Sequence, residues 1–337
     1  MSCAHAVSVS TGPPSAYPFA DADGPPLRLV FVGQSTYFAA CSMQERAAGV
    51  EPYFVDFRAG ADAERMLDAV RALDPDVVLA FRPEIFPHGV FADLGALTIG
   101  FLTEPIPRGG DDVHPDLERR LEDLRAVDPA NFDRIISFDP LVAETADQIL
   151  PVWRSLPLPV ADRLFLGTHV RADPPRMLFV GRSTEHREDF LGPAKHEHDI
   201  IHIAHGVTDD RLLEYLREVD VGLNLHNERY LSFENRVSVC CAAGLIVVTE
   251  PLSPTHGFEP GIDYLEVQSF QDLLVALFEV RRNVRAFRRV RVRGRAKAER
   301  LRASRVYPAL VRDAMLDLRA FGSLRVARPS SARRAGR

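Results

Sequence analysis

The chain has 337 residues, of which 46% are apolar and 26% charged, and its net charge is −6. This length and apolar fraction suit two globular domains, whereas the negative charge argues against general nucleic-acid binding. The four cysteines, Cys3, Cys41, Cys240 and Cys241, have neither disulfide-like nor metal-ligand spacing. We therefore expect reduced thiols and a cytoplasmic location.

Both ends of the chain are predicted to be disordered. Residues 1–26 lack the basic start and apolar segment of a signal peptide and are rich in Ala, Ser, Pro and Asp. Residues 322–337 form a tail rich in Arg, Ser and Ala. No sequence window contains the roughly 18 apolar residues of a membrane-spanning helix, which leaves peripheral contact as the remaining membrane option.

A nine-residue motif occurs twice in the chain. Arg28–Thr36 and Arg176–Thr184 share Arg, Phe, Val, Gly, Ser and Thr in register. Each copy is an apolar run that ends in Gly and a hydroxyl pair, the pattern of a buried strand, a tight turn and a capped helix start. The repeat predicts two α/β domains, residues 27–160 and 176–321, joined by a proline-rich linker at 161–175.

The predicted elements alternate between strands and helices. In the first half we expect strands near 28–33, 52–57, 76–81, 97–102, 134–139 and 152–156, and helices near 37–48, 62–73, 113–127 and 140–149. In the second half we expect strands near 177–181, 199–204, 220–225, 244–249 and 263–267, and helices near 209–218, 233–243 and 269–282. Continuous apolar runs favour mostly parallel sheets, whose ligands bind beyond the carboxyl ends of the strands. Two such domains face to face would enclose one central cleft.

One strand-loop-helix segment of the second half carries the densest signal for a binding site. Ser232 is predicted to cap a helix in which Asn235 is the third residue, and Gly244 is predicted to end that helix. The free N–H groups of such a helix start can bind a diphosphate, with Arg236 in its first turn. The alternative is that Ser232 and Asn235 only cap the helix and that Arg236 pairs with a carboxylate.

Several motifs of other enzyme classes are absent. Neither Gly33 nor Gly181 opens a Gly-x-Gly-x-x-Gly motif, and the chain has no P-loop and no Gly-x-Ser-x-Gly motif. These absences disfavour dinucleotide oxidoreductases, P-loop nucleotidases and α/β hydrolases.

Residues 233–244 and 259–265 together resemble the donor-site half of GT-B glycosyltransferases. The resemblance is greatest to the group-1-like branch that includes bacterial spore-maturation glycosyltransferases. It covers residues 176–321, whereas the first half agrees only in its strand-helix rhythm. It implies two Rossmann-like domains facing a cleft, with a C-terminal helix that crosses back to the first domain. It also implies transfer of a sugar from a nucleoside-diphosphate-sugar co-substrate to a hydroxyl acceptor, with no metal and no other cofactor.

The chain departs from these relatives at one position. Many of them carry Glu five residues before the helix-ending Gly, where it holds the donor ribose, and this chain has Val239 there. Glu234 projects from another face of the helix, so it is not a simple replacement. Either another residue such as Glu250 holds the ribose, or donor binding has weakened.

The resemblance and the pattern together give the candidate site residues. Donor and diphosphate contacts are predicted for Gly181, Arg182, Arg187, His205, Asn224, His226, Ser232, Glu234, Asn235, Arg236 and Glu250. Acceptor-side contacts are predicted for Gly33, Ser35, Thr36 and Thr103, and Glu104 is the predicted general base. Arg182 and Arg187 could instead pair with Glu185 or Glu188, and Glu104 could be a turn carboxylate. A retaining reaction would need no such base.

Four histidines lie within ten residues, at His196, His198, His202 and His205. The apolar pattern around them predicts a strand, on which residues four apart lie about 13 Å apart. A metal site is therefore not expected, and His205 is assigned to the donor base.

The segment 281–305 contains eleven arginines. We expect a solvated amphipathic helix on the domain edge, or contact with an anionic membrane surface or an acidic partner.

Two alternatives to a transferase remain for the whole chain: a non-catalytic nucleotide-sugar sensor or scaffold, and a nucleotide-sugar epimerase. The acceptor, a glycan, lipid or small molecule, is not identified.

Overall fold

The computed structural model describes residues 25–104, 116–142, 145–146 and 148–323. The predicted leader and tail lie almost entirely outside these residues. Within them the chain forms two parallel β-sheets with helices packed on their faces.

The first sheet has six parallel strands in the order β2-β1-β3-β4-β5-β6. Their bounds are β1 Leu27–Gly33, β2 Val50–Asp56, β3 Val77–Phe81, β4 Leu97–Leu102, β5 Arg134–Ser137 and β6 Arg154–Ser155. The helices of this domain are α1 Ser35–Phe38, α2 Ala63–Ala72 and α3 Leu117–Ala126. Strand β1 lies between β2 and β3, and its last residue, Gly33, pairs with Asp56 at the end of β2.

The second sheet has five parallel strands in the order β11-β10-β9-β7-β8. Their bounds are β7 Met177–Val180, β8 Ile200–Ile203, β9 Val221–Asn224, β10 Ile246–Thr249 and β11 Leu265–Glu266. The helices are α4 Glu185–Glu197, α5 Asp209–Glu218, α6 Asn235–Ala242, α7 Phe270–Arg282, α8 Arg288–Ala298 and α9 Ala303–Phe321. The strands are almost wholly apolar because helices cover both faces of the sheet.

The last helix, α9, belongs to the first domain by its packing. Tyr307, Leu310 and Val311 are buried in the core that contains Leu29 and Phe31 of β1. Each fully buried apolar side chain of this kind contributes about 1.5–3 kcal/mol. The predicted return of the C-terminal helix to the first domain is thereby confirmed.

Two predicted helices differ from the structure. The helix expected at 37–48 ends early: α1 is followed by a 3-10 turn at Ala39–Cys41, and the chain then turns through positive φ at Ala48 and Gly49. The helix expected at 140–149 begins as a 3-10 turn at Pro140–Val142. The capped helix start predicted at the end of the second repeat is confirmed, since α4 begins with Thr184 as its N-cap. The extent of α4 was not predicted, because Gly192 and Pro193 interrupt its apolar periodicity.

Most arginines of the segment 281–305 have structural partners. Arg291 is buried against Asp220 at 2.7 Å, and Arg302 pairs with Asp162 and Glu299. Four exposed arginines form neither an ion pair nor a side-chain hydrogen bond with any described residue: Arg285, Arg288, Arg289 and Arg305. In the part of the chain that the structure describes, no helix combines the length and apolarity needed to cross a bilayer.

Candidate functional site

The two copies of the sequence repeat occupy equivalent places in the two domains. Gly33 and Gly181 each follow the first strand of their sheet and share a φ of 159°. After Gly33, the Ser35 hydroxyl and amide both donate to the Asp56 carboxylate, at 2.6 and 2.7 Å. After Gly181, Thr184 caps α4 by accepting a hydrogen bond from the Arg187 amide at 3.3 Å. Each domain therefore presents a strand end and a helix start at its cleft edge.

A cavity of about 330 Å³ lies between the two domains. The first domain lines it with Thr36, Tyr37 and Ala40. The second domain contributes two groups of residues. One group surrounds strand ends and the start of α6: Gly181, Arg182, Glu234, Asn235 and Arg236. The other follows β8 and the adjoining helices: Ala204, His205, Gly206, Val207, Leu212, Leu216, Val239 and Cys240, with Leu178, Val180 and Leu223 from the strands.

The predicted start of the site helix is wrong by about two residues, but its predicted end is confirmed. Helix α6 begins at Asn235 with Glu234 in the N-cap position, so Ser232 does not cap it and Asn235 is its first residue. The Ser232 hydroxyl lies instead 3.3 Å from Nδ1 of His226, inside the protein. Gly244 follows the helix with a φ of 70°, which an L side chain rarely adopts.

Arg236 holds two strand ends together. Its Nη1 donates to the Val180 carbonyl at 2.8 Å and its Nη2 to the Leu225 carbonyl at 3.0 Å. Its Nε donates to Oδ1 of Asn224 at 3.1 Å, and its guanidinium lies 5.0 Å from the centre of the Phe179 ring. Arg236, which was predicted to contact the diphosphate, therefore also connects the ends of β7 and β9 by hydrogen bonds.

Arg187 is buried behind the cavity and does not line it. Its Nε donates to the carbonyls of Leu225 and His226, both at 3.1 Å, and its Nη1 to the Arg182 carbonyl at 3.0 Å. Burial, together with the charge of neighbouring Arg236, lowers the pKa of Arg187 to about 10. It remains cationic at neutral pH and acts on the cavity through its charge.

The Glu234 carboxylate lies between these two guanidinium groups. Its oxygens are 3.9 Å from Nη2 of Arg187 and 3.8 Å from Nη2 of Arg236. Burial opposes ionisation of Glu234, but the charges of Arg236, Arg187, His226 and Arg120 outweigh it and hold its pKa below the usual value. Since Arg120 is in α3 of the first domain, this carboxylate feels charges from both sides of the cleft.

Three predicted donor residues support the cavity from outside it. Asn224 orients Arg236, and its Nδ2 donates to Thr249 at 2.8 Å. Glu250 accepts from the His226 amide at 2.6 Å, and its other oxygen lies 2.7 Å from Nε2 of His186. Glu250 and His226 border a separate open groove of about 620 Å³ rather than the interdomain cavity. Glu250 is therefore not placed to replace the missing glutamate at Val239.

Asn235 connects the two domains. Its Nδ2 donates to Sγ of Cys41 at 2.9 Å, whereas its Oδ1 is buried without a hydrogen-bond partner among the described residues. A buried acceptor without a partner costs about 1–3 kcal/mol unless a ligand or water supplies a donor. Asn235 thus offers an acceptor to an occupant of the cavity.

The first domain's predicted residues fall into two places. Thr36 lines the interdomain cavity, while Gly33 packs against Phe81 and Phe38, and Ser35 bonds to Asp56. Thr103 and Glu104 line a small pocket after β4 with Glu84 and Arg120. Neither of them lines the interdomain cavity.

Sequence reasoning missed the apolar part of the cavity and Tyr37. Tyr37 is 59% exposed, and the signal available in the sequence was its position directly after the predicted site residue Thr36. The contributions of Leu212 and Leu216 could not be inferred, because they depend on how α5 packs beside β7 and β9. His205 and Arg182, which were predicted to contact the donor, line the exposed mouth of the cavity.

No family model and no curated protein matches the chain. Several solved structures are similar to it. An alpha-glucosyltransferase in complex with UDP-glucose and DNA containing an abasic site has a TM-score of 0.54 and 12% identity, over 87% of this chain and 100% of that one. Sucrose-phosphate synthase from Thermosynechococcus elongatus has a TM-score of 0.54 and 11% identity, over 86% and 99%. Anabaena HepE in complex with UDP-glucose has a TM-score of 0.50 and 10% identity, over 87% and 100%.

At these identities the similarity concerns the fold. Two parallel-sheet domains, one cavity between them and a C-terminal helix that returns to the first domain are the features that the sequence resemblance predicted. The chain therefore has the GT-B fold of its glycosyltransferase neighbours.

Proposed function

We propose that this protein is a glycosyltransferase that moves a sugar from a nucleoside-diphosphate-sugar to a hydroxyl acceptor. One observation carries the proposal: the start of α6 and Arg182 line a cavity whose opposite wall belongs to the other domain. Such a cavity can exclude water and hold donor and acceptor together. Two structural neighbours were solved in complex with UDP-glucose, one of them an alpha-glucosyltransferase, and they support this substrate class.

The diphosphate is proposed to bind at the start of α6. The first amides of a helix have no intrahelical partner, and the helix dipole favours an anion there. Arg187 and Arg236 are committed to backbone carbonyls, so they contribute positive potential that Glu234 partly offsets. Arg182 is exposed, and its Nε donates to Oδ1 of Asn227 at 3.1 Å. Among the described residues its Nη1 and Nη2 have no partner, so they can contact the diphosphate directly.

These charges give the departing diphosphate its stabilisation. As the bond between the anomeric carbon and the diphosphate oxygen breaks, negative charge accumulates on the leaving group. Preorganised N–H groups and guanidinium charges stabilise that charge without reorganising. On this proposal no metal ion is required. Glu104 lines the pocket after β4 and not this cavity, so it remains the proposed general base of an inverting reaction only for an acceptor whose hydroxyl reaches that pocket. The spore-maturation branch remains the proposed subgroup.

The second candidate function is nucleotide-sugar binding without catalysis. Val239 favours it, because the residue that holds the donor ribose in many relatives is missing. Donor hydrolysis or transfer by the purified protein would support the enzyme, whereas binding without turnover would support the sensor or scaffold.

The test combines calorimetry with one charge-removing variant. UDP, GDP, ADP and dTDP are titrated into the wild type, Arg182→Ala and the control Arg285→Ala, which removes an equally exposed arginine outside the cavity. We expect one nucleotide to bind the wild type and the control equally and Arg182→Ala at least about ten-fold more weakly. No binding by any nucleotide, or equal binding by all three proteins, would contradict the proposed site.

Peripheral membrane contact through residues 281–305 stays a prediction. Exposed Arg285, Arg288 and Arg289 could contact lipid phosphates, and Phe278, which is 59% exposed, lies on the preceding helix. Sedimentation with anionic and neutral vesicles, at low and high salt, tests it.

A further inference from the structure

A second groove lies at the edge of the second sheet, apart from the interdomain cavity. Its volume of about 620 Å³ falls within the range of about 300–1,000 Å³ that is typical of small-molecule sites. We call it the α4–α7 groove, because residues of both helices line it together with residues that follow β9 and β10. The site proposed for the nucleotide-sugar does not use this groove.

The floor of the α4–α7 groove is a network of buried polar groups. One oxygen of Glu250 accepts from the His226 amide at 2.6 Å, and the other lies 2.7 Å from Nε2 of His186. Nε2 of His226 lies 2.8 Å from the Pro251 carbonyl. Because these groups hold one another in place, the floor is already ordered before a ligand binds.

Three polar side chains of the groove take no part in this network. The Asp189 carboxylate, the Arg229 guanidinium and the side-chain amide of Gln268 are exposed, and none has a hydrogen-bond or ion-pair partner among the described residues. The carboxylate only accepts hydrogen bonds, the guanidinium only donates them, and the amide does both. A ligand that satisfies all three must itself offer donors as well as acceptors.

Two large apolar side chains lie in the same groove. Leu231 is 46% exposed and Phe270 is 38% exposed. Phe270 is positioned as the first residue of α7, whose N-cap Ser269 accepts a hydrogen bond from the Asp272 amide. Apolar surface beside unpaired polar groups favours a ligand that has an apolar face and a polar edge.

The charges of the groove disfavour the other ligand classes. Its lining contains two carboxylates, Asp189 and Glu250, and a single arginine, so a phosphate or another anion is repelled. A wholly apolar ligand would bury Asp189 and Arg229 without partners. A pyranose ring meets the requirements, because its hydroxyls both donate and accept while the C–H groups of one face pack against Phe270 and Leu231.

We infer that the α4–α7 groove is a second binding site, which takes a neutral sugar unit of a glycan. The inference goes beyond the proposed function and does not depend on it, since it concerns binding alone. The groove lies close to the interdomain cavity: His226 lines the groove, and its neighbour Asn227 accepts a hydrogen bond from Arg182, which lines the cavity. A glycan held by one unit in the groove therefore reaches the edge of the cleft.

Saturation-transfer NMR on the full chain tests the inference with three neutral probes: methyl α-glucoside, methyl β-galactoside and maltose. We expect at least one probe to bind, and its dissociation constant to rise about five-fold or more in Phe270→Ala. The matched control is Phe278→Ala, since Phe278 is a 59% exposed phenylalanine of the same helix that does not line the groove. The control should bind the probe as the wild type does.

Arg229→Ala is the second variant, and Arg285→Ala is its control. Both arginines are exposed, so neither change should affect folding, and only Arg229→Ala should weaken binding of the sugar. Saturation transfer to none of the probes, or equal dissociation constants in Phe270→Ala and Phe278→Ala, would overturn the inference. Nucleotide titration of the wild type decides the proposed function separately, so either proposal can fail while the other stands.

Discussion

The side-chain Nδ2 of Asn235 donates to Sγ of Cys41 at 2.9 Å, so the first residue of α6 also forms a contact between the two domains. Next to it, the Ala161 amide donates to the Ala40 carbonyl at 2.9 Å and ties the linker to the same loop. Because Cys41 is also bonded to Tyr307 of α9, three segments of the chain meet at this loop. The position of the helix start relative to the first domain is thus determined by packing around Cys41.

Asn235→Asp separates the structural role of this residue from its role in binding. A carboxylate at the first position of a helix interacts favourably with the helix dipole, so we expect the free energy of unfolding to change by less than about 1 kcal/mol. The same charge repels a diphosphate, and we expect the affinity for the bound nucleotide to fall about ten-fold or more. Denaturant unfolding and calorimetry measure the two effects. Unchanged affinity would place the diphosphate away from Asn235.

Gly181→Ala tests whether the positions of the Arg236 and Arg187 guanidinium groups matter for stability and nucleotide binding. A Cβ at this position would lie 2.8 Å from Nη1 of Arg236 and 3.3 Å from Nη1 of Arg187. We expect the Arg236 bond to the Val180 carbonyl to be displaced, with a loss of about 1–3 kcal/mol in stability and weaker nucleotide binding.

The matched control is Gly192→Ala in α4, where an added Cβ meets no atom within 4 Å. This variant is expected to be as stable as the wild type, or more stable by up to about 1 kcal/mol, because alanine favours the helix. Thermal melts with and without nucleotide compare the two. A Gly181→Ala protein that behaves like the control would mean that Arg236 can move without consequence.

The sequence was sufficient for the architecture because that architecture is encoded locally. The repeated motif at Gly33 and Gly181 marks the first strand of each domain, and apolar runs such as Val77–Phe81 identify buried parallel strands. Where local signals conflict with the fold, the predictions were wrong. The start of α4 at Thr184 was predicted but its extent was not, because Pro193 lies inside it, and the helix after Thr36 stops where the chain turns toward Gly49.

The site was predicted only where residues act through their own strand end or helix start. Arg182, His205 and Asn235 line the cavity, and their contacts with a donor stay predictions. Arg187 and Glu250 are buried because they form hydrogen bonds with residues distant in sequence. Arg187 donates to the carbonyls of Leu225 and His226, and Glu250 accepts from the backbone amide of His226. Such long-range hydrogen bonds leave no periodic signal in the sequence.

Tyr307→Phe measures how strongly α9 holds the first domain to the loop at Cys41. The Tyr307 hydroxyl donates to the Cys41 carbonyl at 2.6 Å inside the core. Removing it leaves that carbonyl without this donor, and we expect a loss of about 1–3 kcal/mol in the free energy of unfolding. Tyr37→Phe, at a residue that is 59% exposed, is the control and should change stability by less than about 0.5 kcal/mol. Equal effects in the two variants would show that the buried bond contributes little.

The carboxylate of Glu299 should make the stability of the junction between the linker and α9 depend on pH. Its oxygens accept hydrogen bonds from Arg302 and from Arg295, and these bonds lower its pKa to about 2, against 4.5 for an ordinary glutamate. Because the folded-state pKa is lowered, the stabilisation is complete above pH 4.5 and is lost as the pH falls toward 2. Glu299→Gln should therefore be less stable than the wild type at pH 7, by about 1 kcal/mol because the pair is partly exposed to solvent. The difference should shrink steadily between pH 4.5 and pH 2, as urea unfolding at intervals across that range would measure. A difference that stays constant down to pH 2 would show that the charge of Glu299 does not stabilise the junction.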